Sequence, residues 1–386
     1  EVAKRGHKVW IITRKNNQKN IESFLKSNTL NLKLNFIYYD LPKWVLFFKK
    51  GTIGINIYYL LWQIGILFKV KKYVNKSKFQ LIHHITFGVF RHFSLLHTLN
   101  VPFIFGPVGG GEQMPKTIKR TFPYKYQLIE SIRELYNRLS KYNPLLLRMY
   151  TNSKLIFTKT DETKLFIPKK HHHKTYSIIE IGVNAHKNKT SYMIRDSSRE
   201  IKILYVGRFI YWKGIDLAIK SFKKFNNNYS FSSRLTLIGK GDYINEIYSN
   251  QHEDDIEVIN WVSQEELTSY YLKSDIFLFP SLHDSSGNVV LEAISYGLPV
   301  VCLDLGGPQK IVDNSCSRII KTRGKTVEEI ITLLSNELIK LANNKNELDS
   351  LRMGALKRAE YFTLDKTINR VYTEIEKCMI NIKVRN

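Results

Sequence analysis

Two stretches of this 386-residue chain combine residue types and spacings that can do chemistry. In Gly207-Arg208-Phe-Ile-Tyr-Trp-Lys213-Gly214, two cations stand five residues apart, framed by glycines, after a strand-like run and before a helix-like one. Such a pair can converge on a diphosphate. Cations aimed at a group that gains negative charge stabilise it where that charge develops, and Arg adds planar, bidentate contacts that Lys cannot make. The second stretch, from Asp284 to Asp304, reads as loop, helix and strand. Asp284, Ser285 and Ser286 are short polar residues able to cap a helix, and Gly287 lets backbone N–H groups approach a ligand closely. A helix N-terminus of that kind suits a phosphate. Asp284 and Glu292 place one carboxylate in the loop and one just over a turn into the helix, an arrangement that can grip hydroxyls. Two acids at a helix start more often only complement its dipole, so the pair takes its meaning from the rest of the chain.

Other strand ends add to it. The strand-like run Phe79-Gln-Leu-Ile ends in His83-His84, and Val101-Pro-Phe-Ile-Phe105 leads into Gly106-Pro-Val-Gly109-Gly110-Gly111-Glu112. Three consecutive glycines after a strand mark backbone that passes close to something. In a Rossmann-like half the carboxyl ends of strands face the ligand cleft, which places the histidine pair and the glycine run there. Leu237-Ile-Gly239-Lys-Gly241-Asp242 is a further glycine turn after a strand. His171-His-His173 reads as a surface loop with a weak capacity for metal.

In this order the stretches resemble the retaining GT-B glycosyltransferases of family four (glycosyl transferases group 1). Asp284-x7-Glu292 is similar to that family's E-x7-E motif, with Asp where Glu is usual, and Arg208 to Gly214 is similar to its G-R-x4-K-G signature. The segments HHITFG and PFIFGPVGGGE resemble a subset of the family, and Gly182-Val-Asn184 its turn at the exit of the first domain. Asn260 stands where the family commonly has glycine, and Asn tolerates left-handed backbone. The resemblance implies that Arg208 and Lys213 stabilise the leaving nucleoside diphosphate and that Glu292 holds the ribose. Asp284 would hold the donor sugar with the backbone of Ser286, Gly287, Asn288 and Val289, and Gly207, Gly239 and Gly241 would lie near the nucleotide. Gly109, Gly110, Gly111 and Glu112 would form an acceptor or diphosphate loop, with His83 or His84 near the transferred sugar.

The implied architecture is α/β GT-B, two Rossmann-like domains facing each other across a donor cleft. Residues 1–190 would form the acceptor domain and 191–363 the nucleotide-sugar domain, with a helix in 364–386 crossing back to the first. Glu1-Val-Ala-Lys-Arg-Gly-His-Lys-Val reads as the end of a helix, so the first strand and its glycine loop are expected upstream of residue 1. The implied donor is a nucleotide sugar and the acceptor a glycan or lipid-linked glycan. No cofactor or metal is expected, since no D-x-D stands at a strand end.

Charge is one-sided. Lys and Arg number 59 against 34 Asp and Glu, a net +25, and residues 1–189 hold 33 of those cations against nine acids. Such asymmetry points to an anionic partner for the first half. An anionic membrane or a phosphate-bearing acceptor fits better than nucleic acid, because no recognisable nucleic-acid module is present. Eighteen residues from Gly51 to Phe68 carry no charge, but Asn56, Gln63 and three glycines argue against a membrane span. Followed by Lys69, Lys71, Lys72, Lys76 and Lys78, the run suits either a core helix with a solvated tail or a helix lying on anionic lipid. Cys302, Cys316 and Cys378 have no ligand spacing and suggest a reduced, cytoplasmic setting, peripheral on the inner face of the plasma membrane. A nucleotide-sugar epimerase of the same architecture and a nucleic-acid binder are the alternatives.

The elements that position these residues follow from pattern. Strands are expected at 8–13, 34–39, 79–84, 101–105, 155–158 and 177–182, and 121–150 reads as one or two helices, amphipathic through Leu128, Ile129, Ile132, Leu135 and Leu139. Residues 185–200 read as a linker. Beyond it, strands at 202–206, 234–238, 256–261, 275–279 and 299–303 alternate with helices near 214–225, 242–249, 264–273 and 288–296. That alternation argues a parallel sheet wrapped by helices.

Overall fold

A computed structural model describes residues 1–27, 33–46, 51–76, 78–184, 200–247 and 254–385. The first half holds a parallel pair, β1 (Val9–Thr13) with β2 (Leu34–Tyr38), and a parallel four-stranded sheet of β3 (Ile82–His84), β4 (Phe103–Val108), β5 (Ser153–Thr158) and β6 (Thr175–Ser177). β4 runs on past its expected end through a cis Gly106–Pro107 peptide. β6 is shorter than its pattern suggested and begins two residues earlier, at Thr175.

The second half is a six-stranded parallel sheet of β7 (Ile201–Val206), β8 (Ser233–Ile238), β9 (Ile256–Ile259), β10 (Ile276–Phe279), β11 (Val300–Leu303) and β12 (Ser317–Ile320), in the order β12-β11-β10-β7-β8-β9. Every residue of β10 and β11 is buried. Continuous apolar strands without alternation are what a parallel sheet covered on both faces requires. The chain builds outward from β7 through β8 and β9, then returns to the other side of β7 for β10, β11 and β12. Strand order therefore reverses between β7 and β10, and the loops leaving those neighbours diverge into a crevice at their carboxyl ends. The stretches 207–214 and 284–292 leave those two strands.

β12 and the helices Val327–Asn343 and Lys345–Ala359 were not read from pattern, although Thr326 and Glu329 form a capping box that announces the first of these helices. The helix Leu364–Arg385 lies under the first sheet, where Val371 and Ile375 pack on Ile104, Leu155 and Phe157. Burying two such side chains contributes roughly 3–6 kcal/mol. Its start is tied to residue 183 by a backbone bridge, Val183 to Thr363.

Two expectations change. The helix Tyr124–Leu139 turns its apolar stripe outward: Leu128, Ile129, Ile132, Leu135 and Leu139 are exposed, while Glu130 and Asn137 are buried. Polar partners fix that helix, and they outweigh the burial its stripe would gain. His171-His-His173 is a 3-10 turn, with His171 buried and His172 bonded to the Ile167 carbonyl at 2.9 Å. No metal-binding group of His, Cys, Asp and Glu occurs among the described residues. As read, the apolar run forms a helix, Gly51–Lys76, which takes in Lys69, Lys71, Lys72 and Lys76 but not Lys78, and among the described residues no helix is long and apolar enough to cross a membrane. The linker read at 185–200 lies, but for its last residue, outside the described residues.

Candidate active site

The loop after β7 brings Arg208 and Lys213 to the crevice. Gly214 closes this turn with φ +68°, and a Cβ there would meet the Pro280 carbonyl oxygen at 1.9 Å, so only glycine lets the turn seat on the end of β10. Gly239 is equally constrained: its Cβ would lie 1.8 Å from the Gly207 oxygen. The glycine turns after β7 and β8 thus pack backbone on backbone, which accounts for Gly239 and Gly241 before any ligand is considered. The Arg208 side chain is exposed and makes no ion pair among the described residues. Lys213 is largely buried and paired with Asp284.

Asp284 does not cap the following helix. Gly287, at φ +73°, occupies the N-cap of Asn288–Ser295, and Asp284 instead closes the turn before it, Oδ1 accepting from the Ser286 and Gly287 amides at 3.2 and 3.1 Å. Burial works against its charge, but Lys213 and those two amides outweigh it and hold the carboxyl below the ordinary range. Both oxygens are thus engaged, Oδ1 within its own loop and Oδ2 by Lys213 from the loop after β7. Glu292 lies in the helix facing the crevice, its Oε2 accepting from the Tyr271 hydroxyl at 3.2 Å, and burial raises its pKa. Asn288 is exposed at the helix start and Val289 half-buried.

The glycine run of the first half touches this loop directly. The Gly110 N–H donates to Glu112 Oε2 at 2.9 Å and Ser285 Oγ at 3.2 Å, and Ser285 Oγ donates to Glu112 at 2.7 Å. Glu112 also accepts from Thr160 at 2.6 Å and Thr163 at 2.9 Å. Its carboxylate is buried and held ionised by those hydroxyls against the cost of burial. Glu112 therefore binds the glycine run to the Asp284 loop from inside, and its carboxylate does not open onto the crevice. A Cβ on Gly111 would strike the Thr163 backbone at 2.5 Å, so the glycines are needed for this junction.

His83 and His84 are both turned inward. His83 Nε2 lies 2.7 Å from the Gly106 oxygen and Nδ1 3.2 Å from the Tyr372 hydroxyl, a pairing met by one tautomer, with Nε2–H donating and Nδ1 accepting. His84 stacks on Phe105 and meets the Tyr59 hydroxyl at 3.2 Å. Burial pushes both down to about 4, so both are neutral at pH 7. The strand carries them to the right end of the sheet, but their rings are used inside the first half.

Several groups at the junction escaped sequence reasoning. Lys159 donates to Ser286 Oγ at 3.0 Å, which in turn donates to Glu180 at 2.9 Å. Glu162 accepts from the Gly306 N–H at 3.3 Å. Glu130 meets His283 at 3.0 Å and the Tyr211 hydroxyl at 2.8 Å. Although burial opposes its charge, His283, Arg133 and Tyr211 hold Glu130 down to about 2. A signal existed for two of them: Lys159 and Glu162 directly follow β5, at the end of a strand that was read correctly.

Residues 193–349 match the family described as glycosyl transferases group 1. That match covers most of the second half of the chain. Relatives include a 41.2 kDa protein of the cps region of Klebsiella pneumoniae, 26% identical over 148 residues, covering 38% of this chain and 40% of that protein. Another is the amylovoran biosynthesis glycosyltransferase AmsK of Erwinia amylovora, 26% identical over 211 residues, 51% of this chain and 48% of that protein. The chain spans less than half the length of these curated relatives. Among solved structures, a glycosyltransferase from Rickettsia africae aligns with TM-score 0.59 at 16% identity, over 98% of this chain and 93% of that one. WaaG, a glycosyltransferase involved in lipopolysaccharide biosynthesis, aligns with TM-score 0.54 at 16% identity, over 94% and 90%. These likenesses show the fold, GT-B.

Proposed function

We propose that the chain is a retaining glycosyltransferase that moves a sugar from a nucleoside-diphosphate sugar to a lipid-linked or cell-surface polysaccharide acceptor. One observation carries the reading: Arg208 and Lys213 leave β7, Asp284 and Glu292 leave β10, and these neighbours flank the point where strand order reverses. In this reading the diphosphate replaces Asp284 as the partner of Lys213, and Arg208 supplies the second cation as charge develops on the leaving group. Asp284, released from Lys213, accepts from donor-sugar hydroxyls beside the Gly287 to Val289 amides, while Glu292 accepts from the ribose. Neither step calls on a metal. The names of AmsK and of the capsular polysaccharide biosynthesis glycosyltransferase CapM of Staphylococcus aureus support a polysaccharide acceptor. The basic first half supports work at the anionic inner face of a membrane.

The test is thermal stabilisation by UDP-, GDP- and ADP-sugars, since a ligand stabilises the state it binds. One donor should raise the melting temperature of the parent protein and not of Glu292→Ala. Lys213→Ala should abolish nucleoside diphosphate release. No shift with any donor in folded protein would overturn the reading, and conversion of a donor sugar without acceptor would replace it with epimerisation.

A further inference from the structure

The helix Tyr124–Leu139 carries an apolar face that none of the described residues covers. Leu128, Ile129, Ile132, Leu135, Tyr136 and Leu139 are each between 46% and 58% exposed. The helix cannot roll to hide them. On its opposite edge Glu130 is held by Tyr211, His283 and Arg133, and Asn137 donates to the Gly110 carbonyl at 3.0 Å and accepts from Arg91 at 2.5 Å. Rotating the stripe inward would strip a buried carboxylate of its two partners outside the helix, Tyr211 and His283, so its outward direction is imposed by the polar edge.

Charge selects the occupant. From Gln113 to Asn152 the chain holds eight Lys and Arg and two Glu, and both carboxylates are committed, Glu130 inside and Glu134 to Lys119 at 3.0 Å. Arg138, Lys141 and Arg148 have no carboxylate partner among the described residues. Tyr124 and Tyr142, at the two ends of the stripe, are 77% and 79% exposed. An apolar stripe with a cationic rim and aromatic ends matches a bilayer interface, where rings sit at headgroup depth and cations meet anionic lipid. A second copy of the same face would oppose cation to cation.

The helix Gly51–Lys76 also has exposed apolar side chains, Ile57, Leu60, Ile64 and Phe68. Phe87 stacks on Tyr59 of that helix at 4.0 Å and meets His92 at 5.5 Å, and the neighbouring Arg91 lies over Tyr136 at 5.3 Å. From Leu41 to Gly111, the segment that includes this helix has nine Lys and Arg and no acid.

We propose that the outward face of the helix Tyr124–Leu139 is a docking surface for an anionic lipid bilayer. This rests on the reading of a lipid-linked acceptor, since docking there would hold the crevice beside the membrane. The experiment is co-sedimentation of the whole chain with phosphatidylcholine vesicles, with and without phosphatidylglycerol. The parent protein should bind the anionic vesicles, and Ile132→Asp with Leu135→Asp should weaken that binding by about tenfold or more. Arg138→Glu with Lys141→Glu should remove most of the preference for phosphatidylglycerol. Melting temperature and nucleotide-sugar stabilisation should stay unchanged in both variants. Parent protein that ignores anionic vesicles, or an apolar-face variant that binds them like the parent, would overturn the proposal. So would a parent dimer that Ile132→Asp with Leu135→Asp turns into monomer, because the stripe would then be a subunit seam. Vesicle binding through this helix without a shift from any nucleotide sugar would sink the transferase reading and leave the docking surface standing.

Discussion

Glu162 offers a prediction whose size and sign can be worked out. Its Oε1 accepts from the Gly306 N–H of the second half, and its Oε2 is buried with no partner among the described residues. Burial, with Glu112 and Asp161 nearby, pushes the carboxyl up to about 7 from an ordinary 4.5, against the pull of Gly306 and Lys310. A folded-state pKa above the unfolded one means the folded protein keeps a proton that the unfolded chain releases. Stability is then complete below about pH 4.5, falls as pH rises toward 7, and levels off above. The shift alone would be worth roughly 3 kcal/mol, and residual solvent access trims this to about 2 kcal/mol. Glu162→Gln keeps the shape and the Gly306 bond without the charge. It should therefore leave melting unchanged at pH 5 and raise the midpoint at pH 8 by about 2–5 °C. Thermal unfolding at the two pH values decides it. An equal shift at both, or a loss at pH 8, would refute the reasoning, because the carboxylate would then be contributing through bonds rather than costing through burial.

Two further perturbations probe the junction of the halves. Gly109→Ala places a Cβ 2.4 Å from Ser285 Oγ and 2.5 Å from its Cβ. The Asp284 loop must then shift, at a cost of about 1–3 kcal/mol, and kcat/KM should fall about 10- to 100-fold; an unchanged value would show that this contact does not shape the loop. Glu112→Ala leaves three hydroxyls and an amide without their shared acceptor and should destabilise by about 2–4 kcal/mol in denaturant unfolding. Glu112→Gln should cost less than half as much, since the Thr160 and Thr163 hydroxyls can rotate to accept from the new amide; equal losses would contradict this account.

Legibility followed locality. The alternation of strands and helices in the second half comes from unbroken apolar runs bounded by Gly and Pro, and five of the six strands could be placed because a doubly covered sheet writes its burial into contiguous residues. The placement of Arg208, Lys213 and Asp284 could be read for the same reason, each standing within seven residues of such a run, and Glu292 follows in the next helix. What a side chain meets across the crevice is not local. Nothing in the spacing of Glu130 tells that it pairs with His283, 153 residues away, and that distant pairing is what turns Leu128 and Ile132 outward. His83 and His84 show the same limit. The strand end was right, but Tyr372 and Tyr59 decide where the rings point.

The helix Leu364–Arg385 has a consequence for the order in which the protein can be made. It covers Ile104, Leu155 and Phe157 of the first sheet, yet about 200 residues separate it from β5. At roughly 5–20 residues per second, a ribosome needs about 10–40 s to supply that cover. During that interval one face of the first sheet is bare while the second sheet, whose strands are all local in sequence, is free to complete itself. The half that is synthesised first is thus finished last, and a stalled or nicked nascent chain would present β4 and β5 to chaperones and proteases.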